Sequence, residues 1–94
     1  MLLGKLKIIG HSMEPSIYNG STVLISDIFF LFRGPKINDM VAFRIDNKIF
    51  VKRITMIKGD NFILKGDNLN DSFDSRKFGF VKSKNIIGKV FKVF

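Results

Sequence analysis

The sequence predicts a mostly β domain, built as a small barrel or sandwich of antiparallel strands. Alternating apolar and polar residues and β-branched residues dominate the chain, whereas no window keeps the i, i+3, i+4, i+7 spacing of a helix over three turns. Turn-forming residues separate the apolar stretches, at Asn19-Gly20, Gly34-Pro35, Gly59-Asp60 and Gly66-Asp67-Asn68. The chain has 94 residues, the size of one small domain, and we assign residues 1–94 to a single domain.

The predicted strands follow one another with short connections. Six stretches have the pattern of strands: residues 5–10, 22–26, 40–45, 48–57, 61–65 and 86–94. At most one short helical turn is expected, over residues 14–19, because Pro15 suits a first helical position and Ser12 suits a helix cap. The spacing of these elements is typical of a small all-β fold.

One predicted hairpin places a lysine on an apolar face. If residues 46–47 form a two-residue turn, Phe43 pairs with Phe50 and Val41 with Lys52, and paired side chains share a face. Apolar surroundings disfavour the charged amine, so the pKa of Lys52 is expected to fall from its usual value of about 10.4. A loop of odd length would exchange the two faces and remove this argument.

The composition excludes several kinds of chemistry. The chain has no cysteine, which excludes disulfides, thiolate metal sites and cysteine nucleophiles. His11 is the only histidine, so sites that bind zinc or iron through two or three imidazoles are not expected. We therefore expect neither a metal ion nor another cofactor.

The chain is strongly basic, with a net charge of +8, which favours anionic partners such as lipid headgroups or nucleic acid without distinguishing them. No apolar stretch reaches the roughly 20 residues of a transmembrane helix, and Lys5 and Lys7 interrupt the apolar N-terminal stretch. Neither a membrane span nor an export signal is therefore expected. The longest apolar run is Ile28, Phe29, Phe30, Leu31 and Phe32. This run suits contact with a membrane interface and suits ordinary strand and core packing equally well.

Three segments carry residues suited to hydrolysis: Ser12-Met13-Glu14-Pro15, Val51-Lys52-Arg53, and residues 66–76. Ser12 is a weak nucleophile until a base takes its proton. His11 is a poor candidate for that base, since adjacent residues of an extended segment point to opposite faces, whereas a neutral Lys52 amine suits the role. Taken singly, the structural alternatives are commoner: a turn serine, a solvated strand lysine, a tight turn at residues 66–68 and a surface ion pair between Asp74 and Arg76.

In combination and in this order, the three segments resemble the type I signal peptidase family of serine–lysine proteases. The resemblance covers residues 10–90, and its most specific part is residues 66–79, where Gly-Asp-Asn precedes Ser-Phe-Asp-Ser-Arg-Lys-Phe-Gly. The resemblance implies a signal-peptidase-like β fold. It also implies a serine endopeptidase that cleaves signal peptides or short N-terminal pro-segments from precursor proteins.

The resemblance also assigns roles to individual residues. Ser12 is similar to the family's nucleophile and Lys52 to its general base. Ser72 is similar to the serine that orients this lysine, and Asp74 and Arg76 to an ion pair beside the site.

The oxyanion donors implied by the resemblance are the backbone N–H of Ser12 and a group at Gly10. Gly10 has no hydroxyl, unlike many bacterial members, and is similar in this to the mitochondrial inner-membrane peptidases and the nickel superoxide dismutase maturation proteases. Asn38 and Ser21 stand where the family usually has glycine and aspartate. The chain resembles a minimal catalytic core, without the membrane anchor and additional β-domain of larger members.

Two kinds of substrate remain open at this point. One is a signal-peptide precursor at the membrane periphery, and the other is a soluble precursor in the cytoplasm. A different class of function also remains open, a non-catalytic basic β-module that binds nucleic acid or an anionic membrane surface. The ordered serine, lysine and Ser-x-Asp-Ser-Arg set favours the protease, so no nucleic-acid partner is expected.

Overall fold

The computed structural model describes residues 2–69 and 79–94. The strands in this part of the chain are β1 (Leu3–Lys7), β2 (Thr22–Ser26), β3 (Met40–Ile45), β4 (Lys48–Lys58), β5 (Asn61–Lys65), β6 (Val81–Lys82) and β7 (Ile86–Val93). Two 3₁₀ turns, Ile28–Phe30 and Ser83–Asn85, complete the regular structure of these residues. The predicted mostly β fold is confirmed.

The observed strand bounds follow the hydrophobic pattern of the sequence. Three predicted strands coincide with β2, β3 and β5, and β4 is one residue longer than predicted. β1 ends at Lys7 rather than at residue 10, and Gly10 has a φ of +104°, outside the range of a strand. The two-residue β6 is too short to produce a hydrophobic pattern, so the sequence did not predict it.

The described strands form one antiparallel sheet in the order β1-β2-β7-β3-β4-β5-β6. β7 lies between β2 and β3 and so joins the first hairpin-like pair to the meander of β3, β4 and β5. Within the described residues, β1 pairs with β2 alone, and residues 48–52 of β4 pair with β3 alone. β1 is therefore an edge strand of the described sheet, and β4 changes its pairing partner from β3 to β5 at Arg53.

The β3–β4 hairpin has the predicted register. Its two turn residues, 46–47, have φ values of +49° and +68°, the positive values that a two-residue type I′ turn requires. Phe43 pairs with Phe50, and Val41 pairs with Lys52. The expectation that Lys52 shares a face with these apolar residues is confirmed.

Two clusters of buried side chains stabilise the sheet, since each fully buried apolar side chain contributes about 1.5–3 kcal/mol. The first cluster consists of Met13, Ile17, Val23, Ile25, Ala42, Val51 and Val90. The second consists of Val41, Phe43, Ile54, Phe62, Leu64 and Val81. Successive residues of β3 alternate between the clusters, as successive side chains of a strand point to opposite faces. β3 is thus buried on both sides.

The segment after Ser12 forms turns rather than a regular helix. Its one helix-like hydrogen bond runs from the Ile17 N–H to the Met13 carbonyl, at 2.9 Å, and the Glu14–Pro15 peptide bond is cis. Met13 and Ile17 are both buried in the first cluster. Their burial fixes the turn that carries Ser12 against the sheet.

The apolar run at residues 28–32 is neither a strand nor mainly core. It forms the first 3₁₀ turn, and Phe30 packs against the second cluster. Leu31 and Phe32 are 67% and 95% exposed, so the expectation of ordinary strand and core packing is wrong for most of the run. No helix within residues 2–69 and 79–94 combines the length and apolar character needed to cross a membrane.

Candidate active site

Ser12 and Lys52 lie 40 residues apart in the chain and meet in the fold. The Lys52 Nζ donates a hydrogen bond to the Ser12 Oγ at 2.7 Å. Ser12 belongs to the turn that follows β1, whereas Lys52 lies in the half of β4 that pairs with β3. The two residues singled out from the sequence are therefore in direct contact.

Lys52 is buried to an unusual degree for a lysine, with 3% of its surface exposed. The hairpin register causes this burial because it places the Lys52 side chain on the same face as Val41, Phe43 and Phe50. An ammonium group taken out of water loses much of its solvation, whereas a neutral amine loses little. Burial thus separates the Lys52 amine from bulk water beside the Ser12 hydroxyl.

A cavity of about 240 Å³ opens beside the Ser12–Lys52 pair. Its lining residues come from the end of β1, the turn after it and the first half of β4: Leu6, Lys7, Ile8, Ile9, Ser12, Met13, Ile49, Phe50, Val51 and Lys52. Most of these residues are apolar, and none of them is acidic. The cavity thus lies between the end of β1 and the first half of β4.

Gly10 begins the turn that carries Ser12. Its N–H donates to the side-chain oxygen of Asn19 at 2.8 Å, and its φ is +104°. Among residues 2–69 and 79–94, its chain neighbours apart, a Cβ at this position would meet no atom within 4 Å, so the positive φ accounts for glycine here.

His11 points away from Ser12. Its Nδ1 lies 2.8 Å from the Glu14 Oε2, and the ring is 57% exposed. Glu14 also accepts a hydrogen bond from the Asn19 N–H, at 3.2 Å. This backbone hydrogen bond, followed by the contact with His11, holds the pKa of Glu14 below its ordinary value. The expectation that His11 is not the base for Ser12 agrees with this geometry.

Asp67 forms a two-pronged ion pair with Arg53, the residue after Lys52. The Arg53 Nε donates to Oδ1 at 2.9 Å and Nη2 to Oδ2 at 2.8 Å, while the Ser16 hydroxyl donates to Oδ2 at 2.5 Å. The hydrogen bonds from Arg53 are the main reason that the pKa of Asp67 is lowered, and the same contact raises the pKa of Arg53. These contacts join β4, the turn after Ser12 and the segment after β5.

Asn68 contacts the same turn twice. Its backbone N–H donates to the Ser12 carbonyl at 2.9 Å, and its Nδ2 donates to the His11 carbonyl at 3.0 Å. A tight turn at residues 66–68 does not by itself predict these contacts. The Gly-Asp-Asn motif was the signal that could have pointed to them. Ser72, Asp74 and Arg76, the other residues assigned from the resemblance, lie outside the described residues.

Comparison with known families identifies the class of protein to which this fold and site belong. A family model described as Peptidase S24-like matches residues 3–91, so the chain belongs to this family of peptidases. Individual relatives narrow the class further. Thylakoidal processing peptidase 1 of the chloroplast of Arabidopsis thaliana is 25% identical over an alignment covering 83% of this chain and 38% of its own.

Two bacterial relatives match shorter stretches. Signal peptidase I of Buchnera aphidicola subsp. Acyrthosiphon pisum is 49% identical over 37 residues, which cover 39% of this chain and 12% of its own. Signal peptidase I of Buchnera aphidicola subsp. Schizaphis graminum is 36% identical over 59 residues, covering 63% and 18%. The resemblance to the type I signal peptidases is confirmed, and the chain spans less than two fifths of the length of these relatives.

Proposed function

We propose that the protein is a serine endopeptidase with Ser12 as nucleophile and Lys52 as general base, which removes signal peptides or short N-terminal pro-segments from precursor proteins. The observation that carries this proposal is the 2.7 Å contact between the Lys52 Nζ and the Ser12 Oγ, with Lys52 almost fully buried. A distance of this size permits direct proton transfer. The family and the named relatives support the class of reaction.

In the proposed mechanism, the neutral Lys52 amine takes the proton of Ser12 as the Oγ attacks the scissile carbonyl carbon. The negative charge that develops on the carbonyl oxygen is stabilised by the backbone N–H of Ser12. Collapse of this intermediate breaks the C–N bond, and Lys52 returns the proton to the leaving amine. A water molecule, deprotonated by the Lys52 amine, then hydrolyses the acyl-enzyme and restores Ser12.

The cavity beside Ser12 and Lys52, which lies between the edge strand β1 and the first half of β4, provides the proposed substrate-binding site. A peptide in extended conformation can add a strand beside such an edge and hydrogen-bond through its backbone. The lining of this cavity is mostly apolar, which suits small apolar side chains of the substrate beside the scissile bond. This placement brings the peptide carbonyl to the Ser12–Lys52 pair without requiring the sheet to rearrange.

The proposal also includes peripheral contact with an anionic membrane surface. Leu3, Ile28, Phe29 and Phe91 line an apolar cavity of about 330 Å³, named here the Phe29 patch. The rings of Phe29 and Phe91 lie 5.5 Å apart, and the Lys89 Nζ lies 5.3 Å from the centre of the Phe29 ring. An exposed apolar surface with adjacent cationic groups is suited to the interface of an anionic bilayer.

The Ser12–Lys52 assignment is tested by cleavage of precursor peptides that have small residues before the cut. Ser12→Ala and Lys52→Met are each expected to lower the rate by about a thousandfold or more, because nucleophile and base act as one unit. Lys58→Met, at an exposed position at the other end of the same strand and outside the cavity, is the matched control and retains activity. A Ser12→Ala protein that still cleaves would refute the assignment.

The pH profile of the same reaction tests the state of Lys52. Only the neutral amine accepts a proton, so the rate rises with pH as Lys52 loses its proton. Burial disfavours the ammonium form, so the midpoint of this rise is expected well below 10.4, the ordinary pKa of lysine. A midpoint at or above the ordinary value would contradict a buried general base.

A further inference from the structure

The two peptide groups on either side of the Ser12 Cα are both held by Asn68. The carbonyl of the preceding group, at His11, accepts from the Asn68 Nδ2 at 3.0 Å and, within its own turn, from the Glu14 N–H at 3.1 Å. The carbonyl of the following group, at Ser12, accepts from the Asn68 backbone N–H at 2.9 Å. Because each peptide group is planar, fixing both carbonyls fixes the backbone rotations at Ser12.

The contact with His11 has a particular geometric effect. The His11 carbonyl and the Ser12 N–H belong to the same trans peptide group, in which the C=O and N–H bonds point in opposite directions. A donor that holds the carbonyl on one side therefore directs the N–H towards the other side. That N–H is the group proposed above to stabilise the oxyanion.

Asn68 is itself anchored to the strand that carries the proposed base. Asp67, the preceding residue, is held by Arg53 of β4 through two hydrogen bonds of 2.9 and 2.8 Å, and by Ser16. Arg53 follows Lys52 directly and also donates to the Asn38 carbonyl at 2.8 Å. Residues 67–68 thus connect the backbone on both sides of Ser12 to β4, the strand that carries Lys52.

From this arrangement we infer that Asn68 is a positioning residue, whose side-chain amide directs the Ser12 N–H towards the oxyanion of the reaction. The inference rests on the proposed function and deepens it. Asn68 touches neither the scissile bond nor Lys52 in this scheme, and it acts through the His11–Ser12 peptide group. Loss of its amide donor should weaken binding of the transition state more than binding of the substrate.

The test replaces the donor with an acceptor of the same shape, in Asn68→Asp. Its kcat is expected to fall about ten- to hundredfold with little change in KM, since one oxyanion donor contributes about a hundredfold or more when removed outright. The matched control is Asn85→Asp, because the Asn85 Nδ2 also donates to a backbone carbonyl at 3.0 Å, that of Arg44, outside the cavity beside Ser12. This control is expected to retain kcat.

A peptide aldehyde of the substrate sequence provides a second readout. Its carbonyl carbon bonds to the Ser12 Oγ, the π bond opens onto the carbonyl oxygen, and the serine proton passes through Lys52 to that oxygen, with no leaving group. The affinity of Asn68→Asp for this aldehyde is expected to fall by the same factor as kcat/KM. Its affinity for the matching uncleavable peptide, measured on a Ser12→Ala background, should remain unchanged.

The outcomes separate this inference from the proposed function. If the parent cleaves and Ser12→Ala does not, but Asn68→Asp keeps its kcat, the inference is overturned and the proposed function stands. A parent that is inert overturns both. If Asn68→Asp does not fold, Asn68→Ala, which keeps the backbone hydrogen bond and adds no charge, takes its place. An equal loss of aldehyde and peptide affinity would show a structural role only.

Discussion

At Asn38 the backbone adopts a φ of +79°, in the left-handed region that glycine tolerates best and asparagine tolerates better than most residues. This conformation explains why the family usually has glycine there and why Asn38 is an acceptable replacement. The Asn38 carbonyl also accepts a hydrogen bond from the Arg53 Nη1, at 2.8 Å. Asn38 in place of glycine thus keeps the backbone conformation at this position, and its carbonyl still accepts from Arg53.

The ion pair between Asp67 and Arg53 makes the stability of the fold depend on pH. The pKa of Asp67 is lowered in the folded state, so its contribution is complete above the unfolded-state pKa of about 3.9 and is lost as pH falls through the folded-state pKa. Asp67→Asn is therefore expected to cost about 1–2 kcal/mol at pH 7, and the difference from the parent should diminish below about pH 4.

Thermal unfolding at pH 7 and at pH 3 measures this effect. A loss of 1 kcal/mol corresponds to about 4–8 °C in Tm for a domain of this size. Asp46→Asn is a suitable control, since it removes one charge in a turn whose positive φ asparagine accepts. A difference between Asp67→Asn and the parent that stayed constant from pH 7 to pH 3 would show that the ion pair is not its cause.

Among the elements, β7 is constrained most closely by its neighbours. It lies between β2 and β3, and a Cβ at Gly88 would lie 2.9 Å from the carbonyl carbon and 3.1 Å from the carbonyl oxygen of Ser26. Gly88 pairs with Ala42 of β3, so small residues face each other there. The close approach of β2 and β7 accounts for glycine within this strand.

Gly88→Ala is expected to destabilise the fold by about 1–3 kcal/mol, because backbone atoms of β2 must move to accommodate the methyl group. Gly4→Ala is the matched control, since its Cβ would meet the Ile25 side chain at 3.2 Å, and that side chain can adjust. Denaturant unfolding of both variants measures the difference. Equal stability of Gly88→Ala and the parent would mean that the two strands separate at little cost.

Sequence patterns predicted most of the strands and the face on which Lys52 lies, whereas the roles of Ser12 and Lys52 came from the family resemblance. A two-residue turn at residues 46–47 determines the hairpin register, and that register determines the face on which Lys52 lies. The contacts of Asn68 were not predictable in this way. They join residues 56 and 57 positions apart through backbone carbonyls, which every residue carries, so the Gly-Asp-Asn motif marked the segment without indicating its partners.

The exposed run at residues 28–32 was left open for a related reason. Five apolar residues in a row fit both core and surface, and the choice depends on neighbours from β1 and β7 that the run itself does not specify. The sequence did not indicate the order of the strands in the sheet either, since β7 inserts between strands that are distant from it in sequence.

For the molecule as a whole, the net charge of +8 should determine how strongly it binds an anionic membrane. We expect sedimentation with anionic vesicles at low salt, and loss of binding as salt rises, because the screening length falls from about 10 Å at 0.1 M to about 3 Å at 1 M. Phe29→Ser should weaken this binding, whereas Phe80→Ser, at an exposed site outside the Phe29 patch, should not. Absence of binding at low salt would contradict the membrane contact.

The central position of β7 has a consequence for synthesis of the chain. Ser12 follows β1 and Lys52 lies on β4, and the sheet between these two parts is completed only by residues 86–93. While the chain is emerging from the ribosome, the two side chains are already made but have no continuous sheet to hold them together. Because β7 joins β2 to β3, the sheet that carries both residues becomes continuous only when the polypeptide has been translated through β7.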